Sequence, residues 1–430
     1  MLFEKSYTMK MGDVRLPKLD FFIVNELGLV NEIMYDRKGT YPKHKFLRQM
    51  LDPLIGNSVF SAIGKDWDEQ RKMVHPAFAA AGLKRIFPVM KQAVDDLVTH
   101  MRGLDLSKPA MVEPLMTHVA ADIIYRTIFS QELDKEGSRR IYDAFAAYQK
   151  LVQPGSVMVL YGFPLFGMRR KAYSTAGRIH AEFRPIVEKR FYAYHEKGDA
   201  GPPDILRSLL EARHPETGEP FDLQQIINQV STVFLAGHET AASAMAWGLY
   251  LLSECPDLQE AIRTEIGEEP MSFETLKTAD TLRDTFRETL RLYPPLSFFL
   301  REITEPTVMR KKQMKPGSIV AVSPWLIQRN VNNFPCPHAF QPERFADPEQ
   351  AQACRHAYLP FGKGPRMCIG AGFANQEAML VLGTILQNFI LSYPEGPKPE
   401  PINRVTLRSA KGIPIIFAPR QEGESAPVGD

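Results

Sequence analysis

The stretch Phe361-Gly362-Lys363-Gly364-Pro365-Arg366-Met367-Cys368-Ile369-Gly370 sets one cysteine on a glycine-rich loop, directly ahead of a run, Ala371 to Leu386, with apolar residues at helical spacing. A sulfur placed there lies beside a helix N-terminus, where the dipole favours the thiolate. Gly362, Gly364 and Gly370 let the backbone close around it. Amide N–H groups aimed at a sulfur ligand draw charge from it and so tune a metal on its far side. Cys368 is therefore read as a metal ligand. A lone cysteine can also be a small buried hydrophobe, so the neighbours have to decide. A phosphate loop would need four residues between its glycines and a Ser or Thr after the lysine, but Gly364 follows Lys363. A zinc site of Cys354, His356 and Cys368 lacks paired C-x-x-C spacing and stands only as a rival.

Three further stretches carry reactive side chains. Trp67, Arg71 and His75 recur every four residues, so a helix over Asp66 to Pro76 would put an indole donor and two basic groups on one face. Such a face suits an anionic ligand, or else is a solvated surface. Ala236-Gly237-His238-Glu239-Thr240 invites a metalloprotease reading, yet the second histidine that motif needs is replaced by Ala242. Gly237 lacks a side chain and Thr240 can bond back to the carbonyl of Ala236, which would widen a helix and leave room for a small ligand and water. Glu288 and Arg291, three apart, would ordinarily form a surface pair of a few tenths of a kcal/mol, on the order of 0.3.

The elements that must position these groups are legible from periodicity and punctuation. Asp222 as N-cap, Gln225 completing a capping box and Pro256 as terminator mark one long helix, apolar nearly all round from Val230 to Leu252. His238 and Glu239 near its middle would be costly in lipid, so a buried central helix is expected rather than a membrane span. Leu282, Phe286 and Leu290 stripe a helix that Pro294-Pro295 ends. Asp20 to Val24 reads as a strand and Glu26 to Tyr35 as a helix. From Ile86 to about Ala200 a series of helices is expected, separated by Pro88, Pro109, Pro114, Pro154 and Pro164. Val405 to Leu407 and Ile413 to Phe417, flanking Lys411-Gly412, suggest a hairpin. The 430 residues show no linker and no internal repeat, so one large domain over residues 1–420 is expected, with a polar, disordered tail over 421–430. A formal charge of +2 gives no case for nucleic acid, and four scattered cysteines fit a reducing compartment. Met1 to Asp20 holds no hydrophobic core of signal-peptide length, so a cytoplasmic protein without a membrane anchor is expected.

Phe361, Gly364, Arg366, Cys368 and Gly370 match the haem-binding signature of the cytochrome P450 family at every defining position, and the chain resembles that family at three more motifs in order. The resemblance implies a mainly α fold with small β-sheets, and a long central helix over a haem b held by the thiolate of Cys368. It assigns Trp67 and Arg71, then Arg301 and Arg366, to the haem propionates, with His75 a further candidate. Ala236, Gly237, Glu239 and Thr240 resemble the oxygen-binding motif, Glu239 and Thr240 being its acid and alcohol. Glu288 and Arg291 would be buried with Arg344, and would lock the segment presenting the cysteine. Leu151 to Gly167 would roof the pocket, and Leu296 to Leu300 would line it. The implied activity is insertion of one atom of dioxygen into a hydrophobic small molecule: a fatty acid, terpenoid, steroid or carotenoid-like compound. Electrons would come to a monomer from a ferredoxin and its NAD(P)H-dependent reductase, steered by Lys72 and Lys363. A peroxide-driven peroxygenase and a non-catalytic haem sensor are the alternatives.

Overall fold

A computed structural model describes residues 5–16, 19–36, 38–132, 135–160 and 167–420. The expected tail, 421–430, and residues 161–166 of the expected roof lie outside it. The fold is mainly helical, wound around the helix Leu223–Ser253. Its 31 residues give a length of about 46 Å. The capping box is present: Asp222 Oδ1 accepts from the Gln225 N–H at 2.7 Å, and Gln225 Oε1 accepts from the Asp222 N–H at 2.8 Å. The central helix packs chiefly on Val112–Phe129, and also on Met168–Lys197 and Ala371–Asn388. Together these form the larger hydrophobic core. Among the described residues no helix is long and apolar enough to cross a membrane.

A second, smaller core sits under a four-stranded sheet. Leu19–Val24 pairs antiparallel with Met11–Leu16 and parallel with Ile319–Val322, which pairs antiparallel with Phe299–Glu302. Ile319–Val322 is buried along its whole length, as an inner strand with both neighbours in place should be. This sheet sets Arg301 against the middle of the fold.

Two expectations are corrected. Pro88 and Pro154 do not separate helices; they lie inside Ala80–Arg102 and Lys135–Leu160. An internal proline costs roughly 3 kcal/mol, but Ala80–Arg102 also buries Ile86, Phe87, Met90, Val94 and Leu97, which outweighs one lost bond. Pro114 falls in the first turn of Val112–Phe129, where no intrahelical bond is lost. The C-terminal hairpin is also shifted in register. Leu407–Ser409 pairs with Pro401–Asn403, while Pro414–Pro419 crosses to Phe389–Ser392 and Ala110–Met111. Lys411-Gly412 is thus a link between two sheets. Burying Ile413, Ile415 and Phe417 in the main core is worth more than folding back onto a three-residue edge.

Candidate active site

The cysteine loop is a tight turn closed by backbone bonds. The Cys368 N–H donates to Phe361 O at 2.9 Å, Met367 N–H to Gly364 O at 3.0 Å and Gly362 N–H to Leu359 O at 3.0 Å. Gly362 and Gly364 take positive φ, and a Cβ on Gly364 would meet the Met34 carbonyl oxygen at 2.5 Å. Gly370 has an ordinary φ, and only the Phe78 ring comes near its Cα substituent position, so the fold itself does not demand glycine there. The helix Ala371–Asn388 begins three residues beyond the sulfur. Cys368 is reachable by a small probe yet lies deep among protein atoms, which marks a side chain facing an internal cavity. Burial pushes its thiol up, while the Gly370 N–H, Arg71 and Lys43 pull the other way without cancelling it. Burial thus favours the neutral thiol in the protein alone, and a cation bound at the sulfur would favour the thiolate.

Four cations converge on that loop. Arg366 stacks on Trp67, its guanidinium carbon 4.3 Å from the ring centroid, and donates to Ala62 O at 3.0 Å. Arg301 is buried and, among the described residues, hydrogen-bonds the Leu300 carbonyl, at 3.2 Å, and the Met34 sulfur. Arg71 lies on Gly64–Val74 with Trp67, one turn on. Lys43, bridged through its backbone to Arg301, gives its ammonium to Phe60 O at 2.8 Å. Among the described residues none of the four is ion-paired with a carboxylate; Asp36 is near enough to favour the charge on Arg301 and Arg366 without contact. Burial, then repulsion from Arg366 and Arg301, holds Lys43 well below the usual lysine range. Burial likewise lowers Arg366 to about 10. Clustered, desolvated cations without counter-charge are costly, and a multiply anionic ligand removes the cost. His75 opens a short 3-10 turn and is exposed, unlike the half-buried Arg71 one turn before it.

On the central helix, Ala236 is exposed and Gly237, Glu239 and Thr240 are half-buried, although the helix is otherwise buried from Gln229 to Phe234 and from Ala241 onward. An accessible stretch in a helix that is otherwise buried marks an internal space beside it. Thr240 Oγ1 donates to Ala236 O at 2.8 Å, the expected back-bond. The helix nonetheless runs unbroken, and the missing side chain of Gly237 faces Ile124 at 3.2 Å, so that glycine lets two helices approach. Glu239 points to the C-terminal hairpin. Its Oε2 accepts from Arg408 at 2.7 Å and from Thr406 at 3.1 Å.

The cysteine loop is tied to a buried ionic cluster. Glu288 Oε1 accepts from Arg291 Nη2 at 2.7 Å, Arg344 Nε at 3.0 Å and the Gln341 N–H at 2.9 Å; Oε2 accepts from Arg291 Nε at 2.7 Å. Arg291 Nη1 donates to Gln328 O at 2.9 Å, and Gln328 Oε1 takes the Leu359 N–H at 2.7 Å. Leu359 in turn starts the turn that ends at Cys368. The rival zinc site fails, since no three His, Cys, Asp or Glu side chains among the described residues could hold a metal. Cys354 is buried elsewhere, against the Asn333 carbonyl.

Comparison with known proteins gives the same answer. The cytochrome P450 family profile matches residues 3–417. The chain belongs to the cytochrome P450 family. Cyclooctatin synthase of Streptomyces melanosporofaciens is 30% identical over 405 residues, covering 91% of this chain and 84% of that protein. Cyclooctat-9-en-7-ol 5-monooxygenase of the same organism is 29% identical, covering 84% and 77%. The crystal structure of the cytochrome P450DA heme domain superposes with a TM-score of 0.84 at 23% identity over 96% of this chain and 90% of that one, a likeness of fold. As a P450 the chain is an oxidoreductase of the monooxygenase class, and its P450 relatives use a substrate and redox partners.

The residues present fit the haem-thiolate group that the P450 family implies: cations without a carboxylate partner among the described residues for its carboxylates, and a thiol near Arg71 and Lys43 for its iron. Sequence reasoning missed two participants. Lys43 stands alone between Pro42 and His44 with no motif around it, and only the bridge to Arg301 reveals it. Arg408 is a lone arginine on a strand, joined to Glu239 across 169 positions. Lys72 is present but ion-paired with Asp68 at 2.6 Å, and Lys363 is half-buried over the His356 carbonyl.

Proposed function

We propose that this P450 monooxygenase adds one oxygen atom to an apolar, alicyclic small molecule of terpenoid type, with electrons from a separate ferredoxin and its reductase. The substrate class is supported by two relatives of high coverage, one named for cyclooctatin and one for a cyclooctatenol. The observation that carries the haem site is the group of four cations near the cysteine loop that have no carboxylate partner among the described residues. In this reading Cys368 ligates the iron, with Phe361 and Gly370 framing its loop. Trp67, Arg71, Arg301, Arg366 and Lys43 hold the propionates, Arg through its forked donors. Bound haem supplies dioxygen binding and the two-electron chemistry that splits it.

The protein's own part is to hold and move protons and to exclude bulk water. Thr240 spends its hydroxyl hydrogen on Ala236 O, and its lone pairs remain free to fix a water in the cavity; rotation releases the hydrogen for transfer. Ala236 keeps the helix surface beside it low, while Gly237 lets the central helix approach Ile124. Glu239, one position away on the helix, links the cavity side to the hairpin network as a proton relay. Overall, substrate, dioxygen, two electrons and two protons give the oxygenated product and one water. For docking, Lys363 is the better steering candidate, because Asp68 already offsets Lys72. The test is a screen of purified protein for substrate-induced Soret shifts among cyclic terpene alcohols, fatty acids and steroids, followed by product analysis with a surrogate ferredoxin pair. Shifts and product with the first group alone support the proposal. Turnover of linear fatty acids in preference overturns its substrate half, and product with peroxide but none with the ferredoxin pair overturns its electron source.

A further inference from the structure

Glu239 and the strand that carries its partner Arg408 are held by four elements, and each presents a defined group. The strand Leu407–Ser409 gives Arg408, whose Nη2 lies 2.7 Å from Oε2, and the turn before it gives Thr406 at 3.1 Å. The helix Lys135–Leu160 gives a hydrogen bond from Gln149. The helix Val112–Phe129 gives Thr117, 3.4 Å from Arg408 Nη1, and Glu113, which takes the Ser409 N–H at 3.0 Å. The central helix itself gives His238, with Nε2 4.0 Å from Oε1.

The clamp is not free to drift. On one side of Arg408, Leu407 O accepts from Ser243 Oγ at 2.5 Å and the Leu407 N–H donates to Pro295 O at 2.9 Å. On the other side, Ser409 is held by Glu113 and by Gly412 O. A guanidinium on a strand pinned at both flanks fixes where its partner carboxylate points. Consecutive helix residues also do not face each other, so a carboxylate aimed at the hairpin is turned from the Thr240 hydroxyl.

We propose that Arg408 is a positioning residue that holds Glu239 ionised and turned to the C-terminal hairpin, so that Glu239 passes a proton toward the cavity only when the Glu239–Arg408 pair opens. This rests on the reading of Glu239 as a proton relay. The electrostatics agree with the geometry. Burial pushes the Glu239 carboxyl up, but the Arg408 charge and the hydrogen bonds from Arg408 and Gln149 outweigh it and hold it at about 2. The His238 imidazole, when charged, lowers it further, ranking after the Arg408 charge, although burial lowers the pKa of His238 itself. A carboxyl so acidic is a poor donor, and relay needs a pKa nearer the working pH. Opening the pair leaves burial as the main influence and moves the group in that direction.

The experiment compares wild type, Arg408→Gln, Arg408→Lys, Thr406→Val and Glu239→Gln, each first checked for haem loading. Infrared pH-difference spectra, on protein with and without haem, read the protonated-carboxyl band. With the carboxyl at about 2, about one molecule in a thousand is protonated at pH 5. At or above the ordinary glutamate value of about 4.3, about one in six or more is protonated. Arg408→Gln should therefore raise the band more than a hundredfold (~170-fold), Arg408→Lys should not, and adding Glu239→Gln should abolish it. Thr406→Val, which leaves the guanidinium in place, should raise it far less, and serves with Arg408→Lys if Arg408→Gln does not fold. In turnover, Arg408→Gln should give coupling and a solvent isotope effect that titrate with pH where the wild type is flat. If the band stays absent in Arg408→Gln, the inference is overturned, whatever Glu239→Gln does. If the band appears as expected but Glu239→Gln leaves coupling unchanged, the relay reading of Glu239 fails, and with it the gate.

Discussion

Replacing Glu288 tests whether the buried ionic cluster is what seats the cysteine. Both oxygens of Glu288 are in use, on two guanidiniums and one backbone N–H, and Glu288, Arg291 and Arg344 are all at most 2% exposed. Glu288→Gln keeps the volume but removes the charge and points an amide nitrogen at donors. Removing one partner of such a buried pair costs about 3–5 kcal/mol, because two guanidiniums stay desolvated without counter-charge. Set against the roughly 5–15 kcal/mol that holds a folded protein together, this is a large share. Each ~1.4 kcal/mol is tenfold, so the unfolded fraction should rise by between about two and four powers of ten. The exposed pair Lys277 and Glu274, with side chains 54% and 69% accessible, is the control, and its removal should hardly move the midpoint. The assay is urea unfolding followed by Soret absorbance and by far-UV circular dichroism, with haem occupancy of the purified protein. The path Arg291 to Gln328 to Leu359 predicts that the thiolate signature of the reduced carbon-monoxide complex is lost before helical signal is. Should Glu288→Gln behave like Lys277→Ala, or lose helix and thiolate signature together at one midpoint, the reasoning is refuted.

Other outcomes follow from the same geometry. Thr240→Ala should keep haem binding and divert reducing equivalents to peroxide, read as peroxide formed per NAD(P)H consumed; unchanged coupling would remove Thr240 from the mechanism. Gly364→Ala, at φ +72 with the Met34 oxygen 2.5 Å from the new Cβ, should cut haem occupancy sharply, whereas Gly370→Ala should be tolerated by the protein fold. Lys43→Met should release haem faster to a scavenger globin while leaving the apoprotein as stable or more so, since that charge is unfavourable without an anion beside it. Glu239 has a folded value of about 2, below its unfolded one near 4.3, so its pairing stabilises by about 3 kcal/mol above that range and the benefit fades as pH falls through the folded value. The destabilisation by Glu239→Gln in chemical unfolding should therefore be roughly halved by pH 3 relative to pH 7.

What the sequence made legible was local. The cysteine loop, the capping box at Asp222, the Thr240 back-bond and the one-turn spacing of Trp67 and Arg71 are all set by residues within a few positions of each other, where spacing maps directly onto geometry. The resemblance extended that reach to Arg344, which does join Glu288 across 56 positions. Long-range pairs without a motif stayed hidden: Lys43 beside Arg301, and Arg408 on Glu239. The hairpin was misread because Lys411-Gly412 has turn chemistry whether the chain folds back or changes sheets, and tertiary burial of Ile415 and Phe417 decides between them. Pro88 and Pro154 misled for the same reason, since a propensity rule cannot weigh the face it would expose.

The seat of Cys368 is walled by the Met34 carbonyl, and its cations come from positions 43, 71, 301 and 366. Neither terminal half of the polypeptide therefore supplies all the groups of the proposed haem seat. On a ribosome, capture of iron porphyrin by that seat would wait until nearly the entire chain has emerged and Leu19–Val24 has docked alongside Ile319–Val322, some three hundred residues later. Loading is then a late checkpoint of folding, and nascent chains stalled short of it should be recovered colourless and exposed to proteolysis.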